Sequence, residues 1–156
     1  MKAYLAGPIF TYGYLLRNTE WAKKIRDAFP DIDLYSPVEN TDILIACIDG
    51  DTIPAGTSAE IGKFHEKIAR GDDKFIVGIC TDNRQCHLTH SEAKDNGGAA
   101  SLGEQQYSYQ NLYVTGLIKE YGVLVSNIED AIKEIQKWLD PRPSIEEIER
   151  FWRESE

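Results

Sequence analysis

Cysteine is scarce in this chain, with three residues in 156: Cys47, Cys80 and Cys86. So small and odd a set cannot build a disulfide framework, and two of the three fall in strand-like runs. The expectation is reduced thiols in a cytoplasmic protein. Long apolar runs are lacking too, and none approaches the ~20 residues that a membrane span needs. The opening "MKAYLAGPIF" does not read as a signal peptide, because its apolar stretch is short and runs into a Gly-Pro turn. Basic residues are outnumbered, 17 Lys and Arg against 26 Asp and Glu, giving a formal net charge of −9. They are scattered among acids along helical stretches rather than gathered in a patch. That excludes the usual footprint of a nucleic-acid binder and favours a small, neutral or weakly charged substrate. Internal repeats and low-complexity tracts are also missing.

What is present is an ordinary globular composition, 42% hydrophobic and 28% charged, in a single domain (1–156) long enough to bury a real core. Strand and helix patterns alternate along it. "KAYLAG" (2–7) is a short apolar run closed by Gly-Pro, and apolar residues then recur at helical spacing from Leu15 to Phe29 until Pro30 stops them. "IDLYS" (32–36) alternates like a strand. "DILIACI" (42–48) is apolar throughout, as in a strand covered on both faces. A helix is predicted from about Thr57 to Arg70, a strand at "KFIVGIC" (74–80), a helix from about Leu102 to Tyr121, a strand at "GVLVS" (122–126) and a helix from Ile128 to Leu139. Ser144 and Glu147 form a capping box for a terminal helix over about 144–153, and the polar stretch 81–100 reads as a long loop. This order gives an α/β fold, a doubly wound parallel sheet of about five strands flanked by helices.

In such a sheet the ligand crevice lies outside the carboxyl ends of the strands, at the switch point. Three loops are expected to converge there: "AGPIFTYGY", "DGDTIPAGT" and "TDNRQ". Glu60 follows the second loop, in the first turn of the predicted helix, where the helix N-terminus favours an ionised carboxylate. Gly56 and Thr57 before it would let the backbone approach a ligand closely. Each feature also has a purely structural reading. Thr57 and Glu60 make a capping box, Asp49 and Asp51 can be ordinary loop acids, and "AGP" can be a turn.

Taken together and in order, "YLAGPIF", "D-ILIACIDGD…GTSAEIG", "IVGICTDNR" and "YQNLYVTGLI" resemble the nucleoside 2-deoxyribosyltransferase family over most of residues 2 to 126. The resemblance implies a flavodoxin-like fold, transfer of a 2-deoxyribosyl group between nucleobases, no metal or organic cofactor, and a homo-oligomer with shared active sites. By position, Glu60 matches the family's nucleophile, which attacks the anomeric carbon as a retaining glycosidase does. Tyr4 matches the first-strand tyrosine whose hydroxyl holds that glutamate. Gly7, Ile9 and Phe10 fall in the motif that meets the base, with Ile9 and Phe10 at the packing positions. Asn111, with Tyr113 beside it, matches the asparagine that reaches the sugar of a neighbouring subunit. Pro54 stands where the family carries an aspartate, which leaves Asp49 or Asp51 to supply a carboxylate for the sugar or for protonating the leaving base. Two further readings stand beside the transferase: an N-glycoside hydrolase of 2′-deoxynucleoside 5′-monophosphates, and a non-catalytic nucleotide-binding module. For the hydrolase, the first loop offers Thr11, Gly13 and Arg17 to a phosphate.

The linker between the second and third strands is a conflict within the sequence. Only six residues, "SPVENT", separate them, whereas parallel strands ordinarily need a crossover of roughly a dozen or more. This predicts a helical segment between Asn40 and Thr41 that is absent here, and the resemblance implies that it would carry the family's aspartate and help form the sugar pocket. Of the remaining candidates, Cys86, His87 and His90 in "CHLTH" are close in sequence but short of a defined zinc set. "TDNR" reads equally as a substrate contact through Asp82 or Arg84 and as a strand-ending turn, His65 reads as a surface or half-buried residue rather than a base, and Tyr107, Tyr109 and Tyr113 read as aromatics packed in the core or at an interface.

Overall fold

The computed structural model describes residues 1–35, 38–50, 52–81 and 110–140. The predicted terminal helix, the long polar loop, "CHLTH", Asp51, Asp82, Arg84, Tyr107 and Tyr109 lie outside them. Five parallel strands, β1 (Lys2–Ala6), β2 (Asp33–Leu34), β3 (Ile43–Cys47), β4 (Phe75–Ile79) and β5 (Gly122–Val125), form one sheet in the order β2-β1-β3-β4-β5. This is the flavodoxin-like doubly wound order. Helices α1 (Tyr12–Ala28), α2 (Ala55–Ala69), α3 (Leu112–Tyr121) and α4 (Ile128–Leu139) flank it. None of the described helices is long and apolar enough to cross a membrane.

Alternation along the strands sends side chains to two cores. On one face, Ala3, Leu5, Ile43, Ile45, Cys47, Val77 and Ile79 pack against Trp21, Ala22 and Ile25 of α1 and Ile128, Ala131 and Ile135 of α4. On the other, Ala6, Leu44, Ala46, Ile48 and Ile76 meet Ile61 and Phe64 of α2 and Val114 and Ile118 of α3. Every residue of β3 is buried, which is why "ILIAC" shows no polar alternation. Each fully buried Val, Leu, Ile or Phe among them is worth about 1.5–3 kcal/mol in apolar area removed from water, so the sheet centre anchors the domain. Helix α3 passes directly into β5, where a Cβ on Gly122 would sit 1.9 Å from the Ile76 carbonyl oxygen. Glycine is the residue that fits that junction.

The short linker is reconciled with a parallel β3, and the expectation of a missing segment loses its ground. Strand β2 is two residues long and pairs only with Lys2 and Ala3, while Ile43 at the start of β3 also pairs with Ala3. The chain therefore has no return leg to make along the strand direction. It has only to step past β1, about 10 Å for two inter-strand spacings, and residues 35–42 reach farther than that. Tyr35 turns the chain out of β2 at φ 88, with the Arg26 guanidinium 5.1 Å from its ring centre. The 3-10 turn Val38–Asn40 then runs straight into Thr41, whose carbonyl accepts from Lys74 Nζ at 2.7 Å. The predicted strand 32–36 was too long, and the conflict came from that length.

Candidate active site

Tyr4 on β1 and Glu60 on α2 are 56 residues apart in sequence, and the fold brings them into contact. The Tyr4 hydroxyl donates to Glu60 Oε1 at 3.1 Å in a half-buried setting. Tyr4 lies on the α2 face of the sheet because it alternates with Ala3 and Leu5, which face α1. Glu60 is not in the first turn of its helix, contrary to the sequence reading. Helix α2 begins at Ala55 behind an N-cap Pro54 that gives no side-chain cap, which places Glu60 in the second turn. Thr57 is buried within the helix, so the capping box is not made. The helix terminus therefore does not hold Glu60 ionised. Burial pushes its carboxyl up, the Tyr4 hydrogen bond pulls it down, and the charge of Glu39 pushes it up again. The phenol of Tyr4 is raised by burial and then by Glu60, which keeps it a proton-bearing donor.

A second constellation forms at the carboxyl ends of the strands, between β1 and β3, where the chain switches direction. A cavity of about 430 Å³ opens there, lined by Thr11, Gly13, Tyr14, Arg17, Asp49, Gly50 and Thr81. The loops after β1, β3 and β4 each contribute, so the three-loop convergence is realised. Asp49 ties them together. Its Oδ2 takes Arg17 Nη1 at 3.2 Å and the Thr81 hydroxyl at 2.8 Å, its Oδ1 takes the Thr81 backbone N–H, and the Cys47 thiol donates to Oδ2 at 3.4 Å. Burial pushes the Cys47 thiol up to about 12, so it stays protonated as a donor. Arg17 stands between the rings of Tyr14 and Trp21, at 5.0 and 4.7 Å. Gly7 permits the loop geometry, since a Cβ there would come within 2.9 Å of the Cys47 Cβ. Neither Tyr4 nor Glu60 is among the described lining residues.

A protein of known structure shares both this fold and much of the sequence. The crystal structure of a conserved protein from Enterococcus faecalis V583 matches at a TM-score of 0.71 and 31% identity, covering 89% of this chain and 99% of that one. The chain belongs to that protein's family. The description of that protein names no activity, and no family model and no curated protein matches this chain.

The other expected site residues fall around the same edge of the sheet. Ile9 and Phe10 follow β1 and stand in solvent, Phe10 being 93% exposed. At Gly56 no described atom lies within 4 Å of where a Cβ would be, so packing does not require the glycine. Asn111 is not inside a helix. It caps α3, its side-chain oxygen accepting from the N–H groups of Tyr113 at 3.0 Å and Val114 at 3.2 Å. Tyr113 is 75% exposed, so it does not pack in the core. The predicted start of that helix at Leu102 lies outside the described residues, and the described helix starts at Leu112. His65 is half-buried as expected, with Nε2 2.8 Å from Glu120 Oε2 and its ring against Tyr121.

Sequence reading missed Thr81, Asn18 and Glu39. Thr81 opens the "TDNRQ" loop that the sequence places at the crevice, but nothing local singles out the residue itself. Asn18 holds the first loop by donating to the Pro8 carbonyl at 3.1 Å, a contact with no local signature. Glu39 enters through the crossover, where it pairs with Lys63 of α2 at 2.7 Å.

Proposed function

We propose that the protein transfers a 2-deoxyribosyl group between nucleobases, with Glu60 as the nucleophile. The observation that carries this reading is the Tyr4–Glu60 hydrogen bond at 3.1 Å. The sequence resemblance requires that pairing between residues far apart in the chain. A half-buried carboxylate held by a phenol is oriented to attack, and among the described residues Tyr4 is its side-chain partner. In the first half-reaction a Glu60 oxygen bonds to the anomeric carbon, the carbon–nitrogen bond to the base breaks, and the leaving nitrogen takes a proton from solvent. In the second, a ring nitrogen of another base bonds to the same carbon, its proton passes to solvent and the carboxylate leaves, so the anomeric configuration is retained.

The cavity between β1 and β3 is the place for the rest of the nucleoside, with the exposed Ile9 and Phe10 offering an apolar surface to the base. Asp49 was a candidate for protonating the leaving base. Asp49 accepts from Arg17, Thr81 and Cys47, and we assign it to shaping the cavity instead. Asn111 belongs to the proposal as a contact from a second copy of the chain, with Leu112 and Tyr113 beside it at the subunit boundary. No cofactor enters this chemistry.

Incubating a 2′-deoxynucleoside with a different free base and separating the products tests the reading. The expected product is the exchanged deoxynucleoside. Release of deoxyribose and free base at the same rate with and without an acceptor would replace transfer by hydrolysis, and no turnover of any deoxynucleoside would remove the reading altogether.

A further inference from the structure

We propose that Asp49 is a specificity-determining residue: it neutralises Arg17, so that the cavity takes an uncharged polar ligand and turns away the phosphorylated form of the same ligand. The inference deepens the reading above and rests on a deoxynucleoside occupying this crevice. Arg17 and Asp49 supply the one cation and the one carboxylate among the described lining residues. They are paired at 3.2 Å with side chains only 18% and 12% exposed.

Neither partner is free to turn away. Arg17 is flanked by Tyr14 and Trp21, and its Nη2 donates to the Asn18 side-chain oxygen at 3.1 Å. Asp49 is anchored by Thr81 as well, whose backbone N–H donates to Oδ1 and whose hydroxyl donates to Oδ2. Without the carboxylate, the lining would present a preoriented guanidinium beside the hydroxyls of Thr11, Tyr14 and Thr81, a setting that suits a phosphate. With it, an incoming phosphate meets a fixed negative charge next to the cation it would seek. Beside side chains as little exposed as these, that repulsion is stronger than in open water. An uncharged hydroxyl or ring nitrogen faces no such repulsion.

Calorimetric titration of the full chain with inorganic phosphate separates the possibilities. Asp49→Asn keeps the shape and an acceptor oxygen while removing the charge. It is expected to bind phosphate about tenfold or more tighter than the wild type, the scale of one charge-assisted hydrogen bond. The double variant Arg17→Gln with Asp49→Asn is expected to return to the wild-type level. Equal phosphate affinity in the wild type and Asp49→Asn overturns the proposal, as does a double variant that binds as tightly as Asp49→Asn. Should Asp49→Asn fail to fold, the wild type carries the test through titration with natural 2′-deoxynucleosides and their 5′-monophosphates. Tighter binding of the nucleosides is expected, and equal or tighter binding of the monophosphates overturns the proposal. If no base exchange occurs but the phosphate contrast holds, deoxyribosyl transfer fails and the charge filter stands. With exchange present and the contrast absent, the filter alone fails.

Discussion

In the nucleophilic role proposed for it, Glu60 combines two requirements that oppose each other. A nucleophile must be ionised, yet burial holds this carboxyl above its ordinary value, only partly offset by the Tyr4 hydroxyl. Exchange should therefore fail on the acid side at a pH above the usual glutamate range of about 4.3. In Tyr4→Phe, which loses the stabilising donor, that acid limb should move higher still, and a pH profile of kcat/KM reads both effects. The same raised value has a stability consequence. Between the unfolded and folded pKa values the native state binds more protons than the unfolded chain. The stabilisation from neutral Glu60 is complete below the unfolded value and is lost as pH rises through the folded one. At pH 7 the ionised group therefore works against folding. Glu60→Gln is expected to melt at the wild-type temperature or above while exchange falls by about a thousandfold or more. A variant that melts several degrees lower would make Glu60 a structural partner of Tyr4 rather than a nucleophile. Substantial residual exchange in Glu60→Ala would also remove it from that role.

At the scale of elements, the sites hang on where helices begin and how they join strands. Helix α2 starts earlier than its sequence signals indicate, because Pro54 provides a fixed φ at the N-cap while Thr57 is drawn into the core. For α3, Asn111→Ala removes a cap worth about 1 kcal/mol. If capping is its whole role, denaturant melts should show that loss and exchange should persist. A drop in kcat/KM beyond the loss of folded protein would support its proposed contact with the sugar. The α3–β5 junction offers a sharper contrast. A Cβ at Gly122 meets a backbone carbonyl at 1.9 Å, whereas at Gly78 the obstacles are the Cδ1 tips of Ile118 and Leu124 at 2.9 Å. Side-chain tips can shift at a cost of about 1–3 kcal/mol, but the sheet backbone cannot. Gly78→Ala should fold with reduced stability and Gly122→Ala should be the worse of the two. Equal melting temperatures would show that the sheet edge yields.

For the whole molecule, the described surface leaves several large apolar side chains uncovered near the proposed site. Ile9, Phe10, Tyr12, Leu15 and Leu16 follow β1, and Leu112 and Tyr113 open α3. Large apolar groups clustered in this way are a common mark of interaction surfaces. The trans role proposed for Asn111 calls for a second copy of the chain. Light scattering should report an oligomer at assay concentration, and specific activity should fall on dilution below the concentration at which copies separate. A fully active monomer would return Asn111 to its own chain's cap and take the shared site out of the proposal.

By itself the sequence determined the layer order of the fold. The apolar run "ILIAC" must be covered on both faces, and alternating strand and helix patterns leave a doubly wound parallel sheet as the packing that covers it. It also determined which loops meet, because ligand crevices follow strand order at the switch point. Tertiary structure alone decided the lengths and the charges. Strand β2 ends after two residues because Tyr35 leaves the extended region, and "IDLYS" carries no local signal for that. Burial pushes the Glu60 carboxyl up, and burial depends on residues distant in the chain. Asp49 becomes a partner of Arg17 and Thr81 only when three strands place their carboxyl ends side by side. Local propensity reads neighbours along the chain, whereas a carboxylate's role is set by its neighbours in space.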